Sequence, residues 1–194
     1  FTVSANTGYA QAAQQQSSVL LQLPKERGDI YDCNGTKLTG TEKIYYAISS
    51  PGGEQYSQLY PYVAEKDRAA LYENAGGRRP FCIQVNAYLS NFQIVTAHAR
   101  YMPLPIAVHT IGYLDGEGEG VTGIERAFND ILKEGGVETT LRCVANAAGQ
   151  LAEGYEAEVE KNSPSQKGVE LTLDSGIQRM CEGKKEKNIQ KGSI

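Results

Sequence analysis

The sequence has no surplus of positive charge, few histidines, no paired cysteines and no long apolar run, and each shortage removes a class of function. Its 19 lysines and arginines are outnumbered by 23 aspartates and glutamates, a formal net charge of −4 over 194 residues. A general nucleic-acid binder needs a basic surface to displace phosphate counterions, so no nucleic-acid partner is expected. No apolar stretch approaches the ~20 residues that cross a bilayer as a helix. Phe1 to Asn6 lack the charged, apolar and small-residue layout of a signal peptide. Cys33, Cys82, Cys143 and Cys181 form no CxxC pair, and the only histidines are His98 and His109. Clustered ligands for a structural zinc are therefore missing. A chain of this length builds a core without disulfide staples, so the four thiols are expected to be small buried hydrophobes. With 40% apolar and 22% charged residues the composition is globular, enough for one large domain or two small ones.

Nucleophilic machinery is missing too. No GxSxG elbow occurs, and no serine is followed by lysine three residues later, so SxxK is absent. Ser4-Ala5-Asn6 has only the SxN form, and Lys37-Leu38-Thr39-Gly40 is not KTG. His98 and His109 each lie in an apolar, strand-like run, where a structural histidine is commoner than a base. Gly118-Glu119-Gly120-Val121-Thr122-Gly123 matches GxGxxG, but Asp115, Glu117 and Glu119 crowd the place of a pyrophosphate. The same loop imitates a calcium loop until its twelfth position, which is Arg126 instead of a bidentate glutamate. No cofactor, no metal and no catalytic residue is expected. Arg27-Gly28-Asp29 and the sequon Asn34-Gly35-Thr36 are short enough to arise by chance. Lys184, Lys185, Lys187 and Lys191 read as a solvated face.

The local pattern is α+β, with a mixed, mostly antiparallel sheet and short helices. A polar helix is expected over residues 7–16, and Val19 to Leu23 is extended. Asn34-Gly35 predicts a type I′ hairpin turn, whose two central residues need φ > 0. Strands follow around Ile44, Tyr45, Tyr46 and Ile48, then at Phe81, Ile83 and Val85, and at Phe92, Ile94 and Thr96. A helix is expected from Val63 to Asn74. Another opens at the capping box Thr122-Gly123-Ile124-Glu125 and runs to about Leu132. Residues 137–146, 155–160 and 168–173 read as antiparallel strands, and Asp174 caps a last helix through about Glu182.

Four segments in order resemble the N-terminal, non-catalytic module of class B penicillin-binding proteins. Arg27-Gly28-Asp29-Ile30-Tyr31-Asp32-Cys33-Asn34-Gly35 is similar to that family's RGxIxDRNG. Ala107 to Tyr113, ending in Gly112-Tyr113, looks like its hxxGY stretch. Gly123-Ile124-Glu125-Arg126-Ala127-Phe128, with Ile131-Leu132, is similar to GxExxYDxxL. Val169 to Asp174, with Gln178, resembles the segment leading into the transpeptidase domain. Cys33 and Phe128 depart from the family's arginine and tyrosine. Residues 50–106 resemble it only loosely.

The resemblance implies the penicillin-binding protein dimerisation-domain type of fold, with residues 1–50 holding the N-terminal helix, extended segment and hairpin, 51–106 an insertion-like head, 107–182 the remainder of the module, and 183–194 a connection to a transpeptidase domain. It implies an architectural role for Arg27, Gly28, Asp32, Asn34, Gly35, Gly112, Tyr113, Gly123 and Glu125. Arg27 and Asp32 are expected to pair, Gly28 and Gly35 to relax the backbone, and Glu125 to serve as a cap. It further implies a membrane-anchored, extracytoplasmic bacterial protein with a membrane helix before Phe1 and a transpeptidase domain after Ile194. Its expected partners are its own C-terminal transpeptidase domain and wall-synthesis proteins such as a lipid II-polymerising glycosyltransferase, with room for a homodimer. Two other readings stay open. One is a stand-alone extracytoplasmic binding or signalling module on the same fold. The other is a small enzyme using His98 or His109 with a carboxylate.

Overall fold

The computed structural model describes residues 17–103, 105–163 and 167–189, with side chains as far as residue 183. The helix expected over 7–16 lies outside the described residues. The chain forms two compact units, each assembled from three separate stretches.

One unit takes Phe1–Pro24, Ile44–Ala97 and Thr139–Lys161. Strand β1 (Ser17–Gln22) pairs antiparallel with β6 (Glu138–Ala145), Ser17 opposite Ala145 and Leu21 opposite Leu141, and β7 (Glu158–Asn162) flanks β6 on the other side. A second sheet has the order β4-β3-β5, from β3 (Glu42–Ser49), β4 (Phe81–Val85) and β5 (Gln93–Ala99), with β3 and β4 antiparallel. Alternation explains β4 and β6. Phe81, Ile83 and Val85 are buried on one strand, and Thr139, Leu141, Cys143 and Ala145 on the other, as a period of two requires. Central β3 is covered on both faces. Tyr46 and Ile48 join Leu141, Cys143, Val95 and Ala97 in one core, whereas Ala47 joins Leu59, Val63, Leu71, Phe81 and Ile83 in another. That double coverage is why Tyr46 to Ser49 are buried in succession instead of alternating.

The second of these cores is roofed by short helices. They are α1 (Gly53–Leu59), 3₁₀ turns at Tyr60–Tyr62 and Glu65–Asp67, and α2 (Arg68–Ala75). The single helix expected from Val63 to Asn74 is therefore replaced by a broken run. Val63 is extended (φ −98°, ψ 131°) and buried, so the chain anchors there before the helix proper begins at Arg68. Helix α1 was not foreseen, because Pro51-Gly52-Gly53 reads as a stop and Leu59 is its only buried residue.

The other unit takes Lys25–Lys43, His98–Glu138 and Asn162–Ile194. Strand β2 (Ile30–Tyr31) pairs with β8 (Val169–Glu170), and the pairing is parallel, not the antiparallel ladder expected there. Around them lie α3 (Val108–Ile111), α4 (Gly123–Ala127), α5 (Asn129–Glu134) and α6 (Ser175–Ile189). Ile30, Leu38, Ile106, Ile111, Leu132 and Val169 form the core. Three further expectations are corrected. The run 108–114 opens as a helical turn, so His109 is not on a strand. The helix from Gly123 is interrupted at Phe128 (φ −117°, ψ 27°). Helix α6 continues to Ile189, through much of the segment read as a connection. Its cap is as expected, the Asp174 Oδ1 accepting the N–H groups of Gly176 (2.8 Å) and Ile177 (3.0 Å). The fold class expected from the sequence, α+β with mostly antiparallel pairing, is the one observed. Among the described residues no helix is long and apolar enough to cross a membrane.

Candidate functional site

Six of the nine residues singled out in the sequence gather in the second unit at two places, Arg27, Gly28 and Glu125 in a buried ion cluster and Asp32, Asn34 and Gly35 in a turn-to-helix clamp. The cluster is built on Glu125, whose side chain is fully buried. Its Oε1 accepts the Nε–H of Arg100 at 2.5 Å, and its Oε2 lies 3.3 Å from the Nε of Arg27. The second contact is an ion pair without hydrogen-bond alignment, since among the described residues neither Arg27 Nε nor Glu125 Oε2 has a hydrogen-bond partner. Arg100 also donates from Nη1 to the Gly28 carbonyl at 2.7 Å. Arg27 donates from Nη1 to the Gly118 carbonyl (2.8 Å) and from Nη2 to Asn129 Oδ1 (3.0 Å). The Tyr101 hydroxyl reaches Glu125 Oε1 at 3.4 Å. Burial, reinforced by that carboxylate, pushes the Tyr101 phenol up to about 12. Burial lowers the Arg27 guanidinium from its ordinary value, and Glu125 opposes the shift.

Two expectations fall here. Glu125 does not act as a helix cap, and Thr122 makes no side-chain cap hydrogen bond. The spacing of a capping box is present, but a carboxylate facing two buried guanidiniums is held by charge-assisted contacts stronger than a cap. Arg27 does not pair with Asp32, because its fork is filled by Glu125, Asn129 and Gly118. Arg100 was missed altogether. It sits in a strand-edge run, Ala97 to Tyr101, with no local signal to mark it.

Asp32 builds the clamp. It is buried, and its Oδ1 accepts the N–H groups of Asn34 (2.9 Å) and Thr36 (2.7 Å). Its Oδ2 accepts the Ser175 hydroxyl at 2.7 Å, at the first residue of α6. That hydroxyl, with the backbone donors, holds the Asp32 carboxyl well below the usual carboxylate range. Asn34 Nδ2 donates to Asp174 Oδ2 at 3.1 Å, so the turn grips the cap of α6 as well. The turn is not type I′. Gly35 has φ 76°, but Asn34 is not in the left-handed region, and Gly35 N–H closes a turn onto the Asp32 carbonyl at 3.0 Å.

The remaining glycines meet backbone, not solvent. A Cβ on Gly28 would lie 2.3 Å from the Lys167 carbonyl oxygen, so close approach and not a positive φ explains that residue. Gly112 (φ 87°) and Gly123 (φ 58°) interlock, a Cβ on the first meeting Thr122 O at 2.0 Å and on the second Thr110 O at 2.4 Å. Tyr113 is exposed, and its carbonyl accepts the Val121 N–H at 2.9 Å.

The chemistry-bearing alternatives are differently placed. His98 Nδ1 lies 3.4 Å from Glu26 Oε2, and His109 is exposed on α3. Asp115 Oδ1 accepts the N–H groups of Glu117 and Glu119, and Glu119 is engaged by Lys133 and Asn129, so these carboxylates close their own loop. Cys33 and Cys181 are exposed, against the expectation that all four thiols would be buried. Cys143 is buried and Cys82 partly so, and burial pushes the Cys82 thiol up to about 11.

No protein-family model and no curated protein sequence matches the chain. Solved structures do. Penicillin-binding protein PBP2 from Helicobacter pylori aligns with 87% of this chain at 19% identity and a TM-score of 0.51. The complex between PBP2 and MreC from the same organism aligns at 18% identity and 0.46, and a peptidoglycan synthetase from Bifidobacterium adolescentis at 15% and 0.39. The chain spans 39% of the length of PBP2 and 38% of each of the other two. At 19% identity the likeness to PBP2 is one of fold. It agrees with the penicillin-binding protein dimerisation-domain type named by the sequence motifs.

Proposed function

We propose that this chain is the non-catalytic pedestal of a peptidoglycan D,D-transpeptidase, held at the extracytoplasmic face of a bacterial membrane. The observation that carries the reading is that the contacts of the motif residues and the fold point the same way. The motif residues Arg27, Gly28 and Glu125 join in one buried cluster, and Asp32 and Asn34 clamp the start of α6. The same chain has the fold of a part of PBP2. Both features suit a rigid support and neither supplies a nucleophile. The parent would acylate a serine with the D-Ala-D-Ala end of a stem peptide and pass it to an amine. This chain would give reach, orientation and contacts to wall-synthesis partners, a lipid II-polymerising glycosyltransferase among them.

The open reading frame on both sides of this segment tests the proposal. The expected result is an apolar helix upstream and SxxK, SxN and KTG in that order downstream. A frame that closes shortly after Ile194 with no such motifs would contradict it and favour a stand-alone binding module.

A further inference from the structure

In the first unit, and among the described residues, β1 in the order β1-β6-β7 and β4 in the order β4-β3-β5 are end strands without a neighbour on their outer side. Two adjoining cavities, of about 470 and 430 Å³, run along β1 and share a wall of Arg78, Arg79 and Pro80. The first reaches Leu21, Phe81 and Cys82, and the second follows Ser17 to Leu20. We propose that this groove is the docking site of an extended, acidic segment of a partner protein. The segment would add to β1 as a further strand and set its carboxylates on Arg78 and Arg79.

The register fixes which backbone groups are on offer. Leu23 N–H donates to the Thr139 carbonyl, so Leu23 and Thr139 are a hydrogen-bonded pair. Antiparallel pairs alternate, which makes Leu21–Leu141, Val19–Cys143 and Ser17–Ala145 hydrogen-bonded as well. The N–H and C=O groups of Ser18, Leu20 and Gln22 therefore point away from β6, along the open edge. A bare edge of this kind is a template for an added strand. Six residues of β1 match an extended segment of about 20 Å. On the opposite wall Pro80 carries no N–H and offers no donor at that position.

Charge selects the occupant. Arg78 and Arg79 are exposed, and among the described residues no ion pair engages either. One carboxylate, Glu73, lines the groove against these two guanidiniums. A second copy of this chain would bring two more arginines into the same place, and like charges repel there. An acidic strand is attracted by both and gains the free backbone groups of β1. This site does not depend on the pedestal reading, since it concerns only what the first unit displays.

The probe is an acetylated and amidated heptapeptide of sequence Thr-Val-Glu-Val-Glu-Val-Thr, with a counterpart carrying lysine at both glutamates, titrated into the 194-residue chain and followed by NMR. The acidic peptide is expected to shift the amides of Ser18, Leu20 and Gln22, and the lysine peptide to bind about tenfold more weakly or not at all. Leu20→Pro deletes one outward N–H without touching the β1–β6 ladder, so it should abolish binding while the Val19 and Leu21 amides stay protected from exchange. Arg78→Glu with Arg79→Glu should reverse the preference between the peptides. The proposal fails if the acidic peptide does not bind at millimolar concentration, or if Leu20→Pro leaves binding intact. It also fails if the outward amides are already as protected as Leu21 in the free chain, or if the edge instead mediates self-association that Leu20→Pro removes.

Discussion

Replacing Glu125 by glutamine separates a buried charge cluster from a helix cap. The side chain of Glu125 is fully buried, and those of Arg27 and Arg100 are only 8% and 12% exposed, with contacts of 3.3 and 2.5 Å. Opposite unit charges about 4 Å apart attract by roughly 4 kcal/mol at an effective dielectric of about 20. Much of that attraction offsets the cost of taking the three ions out of water. Glu125→Gln keeps the shape but leaves two buried guanidiniums facing each other without a counter-charge. Removing one partner of such a site costs about 3–5 kcal/mol, a large part of the ~5–15 kcal/mol that holds a domain folded. A cap predicts a different result, because glutamine is itself an accepted capping-box residue and would be nearly neutral. Urea unfolding at pH 7, fitted with the slope checked for constancy, reads the difference. In the Glu125→Gln background, Arg100→Met should cost less than it does alone, as coupled partners do. A loss below about 1 kcal/mol for Glu125→Gln would refute the electrostatic account of this cluster.

Other outcomes follow from the same contacts. Thr122→Ala should leave stability unchanged, because Thr122 makes no side-chain cap bond, whereas Asp174→Ala should cost about 1 kcal/mol in the same urea assay. The folded-state pKa of Asp32 is depressed, so its contribution is fully present above the unfolded value near ~4 and is lost as the pH falls toward the folded value. The stability gap between the natural chain and Asp32→Asn should accordingly be widest at pH 7 and narrow at pH 3; a gap that does not change would contradict the clamp. Gly28→Ala drives a methyl group to 2.3 Å from the Lys167 carbonyl and should destabilise by about 1–3 kcal/mol, seen as a lower melting temperature. Native-state titration with a thiol-specific dye should modify Cys33 and Cys181 at once and Cys82 and Cys143 only on unfolding.

What could be read in advance divides along physical lines. Strands β4 and β6 were legible because each buries one face, and burial of one face writes a period of two into the sequence. The Asp174 cap was legible because it acts within three residues. Helix α1 was hidden, because it buries Leu59 alone and is held by packing, without a periodic stripe. The break at Phe128 was hidden for a related reason. Asn129, just beyond it, serves the Gly120 N–H and Arg27 through Oδ1, and both partners lie outside the helix. At the site, the motifs pointed to Arg27, Asp32 and Glu125 but paired them wrongly. Glu125 carries capping-box spacing and Asp32 sits beside an Asn-Gly dipeptide, so local rules assigned each a local job. Arg100, 25 residues from Glu125, settles the first, and Ser175, 143 residues from Asp32, settles the second. Spacing rules within a turn or a helix contain no information about partners that distant.

The pedestal reading is tested most directly by labelling whole cells of the source with fluorescent penicillin and probing the same gel with an antibody raised against residues 1–194. The account predicts one band that carries both signals, at a mass well above that of this chain, with the label lost when the downstream SxxK serine is replaced by alanine. An antibody band at the size of this chain alone, without penicillin, would contradict it.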